Sequence, residues 1–137
     1  MSGIVIPEGF VPVDIGRGFS SALGGLYIDR PRRRLAFLVG SEQCNPVDTC
    51  HGGAIATFAD AQILAINPAS EARLEHHPTI NLSIDYLAPA FAGDWIESEV
   101  TIDRRTGSLL FTRAAMWVAD RQIARASAIY RWREPSQ

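Results

Sequence analysis

Apolar and polar positions alternate through much of the second half of the chain. Ile80, Leu82, Ile84 and Tyr86 alternate with Thr79, Asn81, Ser83 and Asp85, and Ile96, Val100 and Ile102 with Glu97, Glu99 and Thr101. This is the two-residue period of half-buried strands. Leu109 to Ala119 and Arg121 to Trp132, rich in apolar and aromatic residues, predict two more strands joined by a tight turn at Asp120-Arg121. Upstream, Leu23 to Asp29 and Arg34 to Ser41 predict a hairpin around Arg30-Pro31-Arg32-Arg33. Between the halves lies one long helix, predicted from about Gly52 to Ile66 and ended by Asn67-Pro68, because proline disfavours helical geometry in its predecessor. Ala54, Ile55, Phe58, Ala59, Ala61, Ile63, Leu64, Ala65 and Ile66 surround its axis, so it is expected to be buried on most sides. The pattern predicts an α+β domain in which a curved antiparallel sheet encloses one long central helix. An edge strand of such a sheet leaves unpaired backbone groups, which a second copy of the chain would satisfy, so at least a dimer is expected.

With 137 residues, 47% of them hydrophobic, the chain suffices for one core. Residues 1–19 read as a lead segment and 20–137 as a single domain. A net charge of −2 does not favour nucleic acid as partner. All thirteen basic residues are arginine, which excludes Schiff-base, pyridoxal-anchoring and P-loop lysines together. Cys44 and Cys50 form neither a disulfide framework nor a Cys-x-x-Cys pair. The N-terminus resembles no signal peptide, and no run approaches a membrane span. The expected location is the cytoplasm, without membrane contact.

The chemistry concentrates between Asn45 and Asp60. Gly52 and Gly53 open the helix and expose backbone N–H groups at the positive end of its dipole, where an oxyanion is stabilised. Asp60 follows Gly53 by seven residues, which returns it to within about 20° of the same face. Ala56 and Thr57 lie between them on a small, polar stripe with room for a ligand, opposite bulky Ile55, Phe58, Ile63 and Ile66. A carboxylate in so apolar a helix is a candidate base or nucleophile. Taken singly, Gly-Gly reads as close packing, Asp60 as a surface or capping residue, Asn45 as a loop residue satisfying backbone groups, and His51 as a helix-start residue; the shared face weakens those readings.

The spacing of Asn45, His51, Gly52-Gly53 and Asp60 resembles the active-site signature of the PaaI-like hotdog thioesterases. Thr79-Ile-Asn-Leu-Ser-Ile-Asp-Tyr86-Leu-Ala-Pro89-Ala90 is similar to the strand after the helix in that family, and the resemblance extends over roughly residues 20–133. It implies a hotdog fold and hydrolysis of acyl-coenzyme A without a cofactor. Asp60 would be nucleophile or general base, the Gly53 N–H would hold the thioester oxygen, Asn45 would polarise the carbonyl or orient the attacking group, and His51 would order the site. Thr79 would position water, although a plain sheet-surface threonine fits as well. Gly52 and Thr57 would line the substrate. In such enzymes Asn45, His51 and Gly53 of one subunit face Asp60 and Thr79 of the other, which implies a homo-oligomer, a dimer or a tetramer built from dimers.

For the coenzyme phosphates, Arg30, Arg32, Arg33 and Arg34 compete with Arg104 and Arg105; either group reads by itself as a solvated turn, and the resemblance favours Arg104 and Arg105. Cys44, Cys50, His51, His76 and His77 match no common zinc spacing, so no metal is expected. No Gly-x-Ser-x-Gly elbow is present. The rival functions are a hotdog hydratase or dehydratase, which would use a different histidine and acid arrangement, and a non-catalytic acyl-CoA sensor. Asp60 disfavours both, and 19 leading residues are too few for the DNA-binding segment a sensor usually carries.

Overall fold

A computed structural model describes residues 5–14, 18–66 and 77–133. Seven strands form one antiparallel sheet: β1 (Val11–Val13), β2 (Leu26–Asp29), β3 (Arg34–Leu38), β4 (Thr79–Tyr86), β5 (Trp95–Arg105), β6 (Leu109–Val118) and β7 (Arg121–Arg131), in the order β1-β2-β3-β5-β6-β7-β4. Helix α1 (Gly52–Ala59) and the short α2 (Gln62–Ile66) lie against one face. Phe58 of α1 meets Phe37 of β3, ring centroids 4.8 Å apart, and both are fully buried with Leu35, Ile96, Leu110, Met116 and Ile123. The α+β architecture expected from the periodicity is present, in the hotdog arrangement that the resemblance implied. No helix among the described residues is long and apolar enough to cross a membrane.

Four features differ from the expectation. The long helix is broken after Ala59, and Asn67-Pro68, its expected stop, lies outside the described residues. Two carbonyls released at the break find side chains: Gln62 Nε2 donates to the Ala59 carbonyl at 2.9 Å and the Tyr130 hydroxyl to the Asp60 carbonyl at 2.9 Å. Buried Thr112 donates to Gln62 Oε1 at 2.8 Å, which ties the break to β6. Polar groups from α2 and the sheet thus replace the helical bonds that a continuous helix would supply.

The first hairpin strands are shorter than expected, because Leu23 ends one 3₁₀ turn and Ser41 begins another. The last hairpin turns at Ala119-Asp120, with Val118 opposite Arg121 and Ala119 at φ +52°. β4 is half-buried only in its middle: Leu82 and Ile84 pack against the core, while Ile80 and Tyr86 are each 53% exposed, because this strand closes one edge of the sheet and pairs only with β7. From the lead segment, β1 adds the opposite edge by pairing with β2.

Candidate active site

Helix α1 carries one polar cluster at each end. At its start, His51 is the N-cap residue, and its Nδ1 accepts a hydrogen bond from the Gly53 N–H at 2.7 Å. A Cβ on Gly53 would lie 2.9 Å from His51 Nδ1, so a larger residue there would push the His51 ring off its capping position. The Gly53 amide expected to hold an oxyanion is therefore capped within its own chain. The Gly52 N–H donates to no group among the described residues, as befits the first turn of a helix. The Gly52 carbonyl accepts from the Tyr86 hydroxyl at 2.7 Å, and the Thr57 hydroxyl donates to the Gly53 carbonyl at 2.8 Å.

Asn45 closes the preceding loop. Its Nδ2 donates to the Thr49 hydroxyl at 2.7 Å, and its Oδ1 accepts from the Val47 and Thr49 amides, each at 3.1 Å. One N–H of the side-chain amide is left for another partner. The Cys50 N–H donates to the Ala90 carbonyl at 2.7 Å and Thr49 bridges Phe91, so the loop is also held by the segment after β4.

At the far end, Asp60 caps α1 as a half-buried residue. Its Oδ1 accepts from the Thr79 hydroxyl at 2.7 Å. Tyr130 is opposite Thr79 in the β4–β7 pairing and donates to the Asp60 backbone carbonyl. Burial, reinforced by the Asp60 charge, pushes the Tyr130 hydroxyl far above its ordinary range, so it remains a donor. Among the described residues no cation pairs with Asp60.

The structure thus joins Asn45, His51, Gly52, Gly53 and Thr57 at one end and Asp60 with Thr79 at the other. Seven residues of helix between Gly53 and Asp60 amount to about 10 Å. A donor on a carbonyl oxygen and a base acting at its carbon must be much closer than that. Tyr86 and Tyr130 are the contributors that the sequence reading left without a role. Tyr86 was visible as part of a motif; Tyr130 had no signal beyond its place in an apolar strand.

The two candidate arginines occupy opposite faces. Arg105, Leu110, Tyr130 and Thr79 are successive cross-strand partners over β5, β6, β7 and β4, a row of about 14 Å. Arg105 lies over the Trp132 ring at 4.6 Å, and His77 stacks on Trp132 at 4.8 Å. Arg104 pairs with Phe111 and alternates to the other face. In the first hairpin, Arg32 is paired with Asp29, and Arg34 reaches Glu97 and Glu99 at 3.5 and 3.2 Å. The described residues contain no group of three or more His, Cys, Asp or Glu placed to share a metal ion; His76 lies outside them.

The family model described as the Thioesterase superfamily matches residues 48–124, more than half of the chain, from the loop before α1 into β7. The chain belongs to the thioesterase superfamily. A Pseudomonas aeruginosa protein provisionally named as an esterase is 27% identical to this thioesterase-superfamily chain over 128 residues, covering 91% of it and 96% of the relative. Among solved structures, Escherichia coli PaaI, from the phenylacetic acid degradation operon, superposes with a TM-score of 0.60 at 14% identity, covering 90% of this chain and 83% of that one. A Streptococcus pneumoniae hypothetical thioesterase solved with coenzyme A gives 0.61 at 16% identity over 74% and 80% of the two chains. These likenesses carry the hotdog fold across low identity.

Proposed function

We propose that the protein hydrolyses acyl-coenzyme A thioesters at sites shared between two copies of the chain. The carrying observation is Asp60: a carboxylate that no cation among the described residues pairs with, held by Thr79 on one oxygen and leaving the other for a water. The helix-start donors of the same chain are too distant to act on the same carbonyl. If β4 pairs antiparallel with β4 of a second copy about a two-fold axis, the Thr79 end of one strand lies beside the Tyr86 end of the other. Asp60 and Thr79 then face the Asn45, His51, Gly52 and Gly53 cluster of the second copy, twice per dimer. The exposed Ile80 and Tyr86 on this edge support that pairing.

In this reading Asp60 takes a proton from water, whose oxygen attacks the thioester carbon. The carbonyl oxygen receives the Gly52 N–H, joined by the Gly53 N–H once the His51 ring turns from it, and by the remaining Asn45 amide hydrogen. Collapse expels the coenzyme thiolate, which is protonated, and leaves the free acid. Donors of this kind contribute a factor of about 10²–10³ each and a positioned base about 10²–10⁴. Thr57 lines the small stripe beside the reacting group. Arg105 receives a coenzyme phosphate; Arg104, on the other face, contributes less. The free cysteines fit a reducing cytoplasm. Release of free acid from short, long and aryl acyl-CoAs by wild type, compared with Asp60→Ala, tests the proposal. Equal rates for the two proteins would overturn it.

A further inference from the structure

Cys44 and Cys50 frame the loop that begins with Asn45 and leads into His51. Their Cα atoms face each other in an isolated antiparallel bridge. The Asn45 N–H donates to the Thr49 carbonyl at 2.8 Å and the His51 N–H to the Gln43 carbonyl at 2.7 Å, so the hydrogen bonds flank the cysteine pair and do not join it. That is the close position of an antiparallel ladder, with Cα atoms about 4.5 Å apart and side chains on one side. A disulfide spans about 4.4–6.8 Å between Cα atoms. Both thiols are free; Cys44 Sγ donates to the Gly40 carbonyl at 3.4 Å and Cys50 Sγ to the His51 carbonyl at 3.9 Å.

We propose that Cys44 and Cys50 form a redox site that closes to an intrachain disulfide with hydrogen peroxide and slows turnover at the adjoining catalytic cluster. The regulatory part rests on the hydrolase reading above; the dithiol itself does not. Cys44 is half-exposed and Cys50 buried. Burial pushes the Cys50 thiol up to about 11, so it stays protonated at neutral pH and the first step falls to Cys44. The Cys44 thiolate attacks peroxide, giving a sulfenic acid and hydroxide; the Cys50 thiol then condenses with the sulfenic acid and releases water. In sum, two thiols and one peroxide become one disulfide and two waters. The bond draws Cys50 Sγ away from the His51 carbonyl and ties both ends of the loop. It thereby holds the arrangement in which His51 Nδ1 occupies the Gly53 N–H.

The test is graded peroxide treatment of the full chain, followed by non-reducing peptide mapping and chromatographic assay of free-acid release. The expected result is a loss of two hydrogens, a cross-linked peptide joining Cys44 to Cys50, and a several-fold fall in rate that dithiothreitol reverses. Cys44→Ser is expected to form no cross-link and to keep its rate under peroxide, and Cys50→Ala repeats the control from the buried side. Oxidation of Cys44 to sulfinic acid without cross-linking, or cross-links only between chains, would overturn the dithiol. A disulfide that leaves the rate unchanged would overturn the regulatory part. If the reduced protein hydrolyses no thioester, the hydrolase reading and its regulation fall together, while the peptide map still decides the dithiol.

Discussion

The Thr79 hydroxyl donates to Asp60 Oδ1 at 2.7 Å across 19 residues of sequence and a change from helix to strand. The bond selects one orientation of the carboxylate and commits one of its oxygens. What is left for chemistry is Oδ2, at the end of the helix and beside the edge of the sheet.

Removing the acid removes the base. Asp60→Asn or Asp60→Ala is expected to lower turnover by about 10²–10⁴ while circular dichroism and melting temperature stay close to wild type, since no ion pair among the described residues is lost. A covalent route by Asp60 in which water opens the mixed anhydride at the Asp60 carbonyl would instead leave ¹⁸O in the protein after a single turnover in labelled water; general-base attack leaves it in the product acid only.

Thr79 acts through Asp60 and not on the substrate. Thr79→Ala is expected to reduce kcat about tenfold, the rate equivalent of one hydrogen bond of about 1.4 kcal/mol. Thr79→Ser, which keeps the hydroxyl, is expected to restore most of it. A loss confined to KM would contradict the positioning role.

The two-chain site can be read by complementation. Mixing Asp60→Ala with Asn45→Ala subunits by dissociation and refolding is expected to recover roughly a quarter of wild-type activity, because half the dimers are hybrids and each hybrid has one intact site. Ile80→Lys is expected to weaken assembly in light scattering and to lower activity in parallel. Full activity in a monomer would remove the shared-site geometry.

Arg105→Ala is expected to raise KM for acyl-CoA about tenfold through loss of a phosphate contact worth about 1.4 kcal/mol, with little change for a pantetheine thioester that lacks the nucleotide. Arg104→Ala, on the opposite face, is expected to change either value by less than about twofold.

Acid is expected to loosen the first hairpin. Burial raises the Asp29 carboxyl, but its bonds to Arg32 outweigh that and hold it below its ordinary value. A folded-state value below the unfolded one means that the pair stabilises above the unfolded pKa, near 4, and that the contribution disappears as pH falls through the lowered value. Melting temperature measured from pH 6 to pH 2.5 is expected to drop more steeply in wild type than in Asp29→Asn.

Much of the fold was legible because strand periodicity is local. Residues 96–102, 109–119 and 121–132 state their burial pattern within a few neighbours, and the ladder then follows from short turns. The start of the site was legible for the same reason: His51, Gly52 and Gly53 make a helix cap from adjacent residues. The exposed ends of β4, Ile80 and Tyr86, were misread because alternation tells which side chains share a face and not whether anything covers that face. Its place at the sheet edge depends on β7 returning beside it after two other strands.

By itself, then, the sequence determined the strands after β1, the glycine helix start and the presence of one acid in an apolar helix, since each is decided by contacts among near neighbours. Only the tertiary structure decided that the helix breaks at Asp60, that Tyr130 and the Gln62–Thr112 pair satisfy the break, and that Thr79 meets the carboxylate. Those bonds join residues brought together by sheet register, which no local preference encodes.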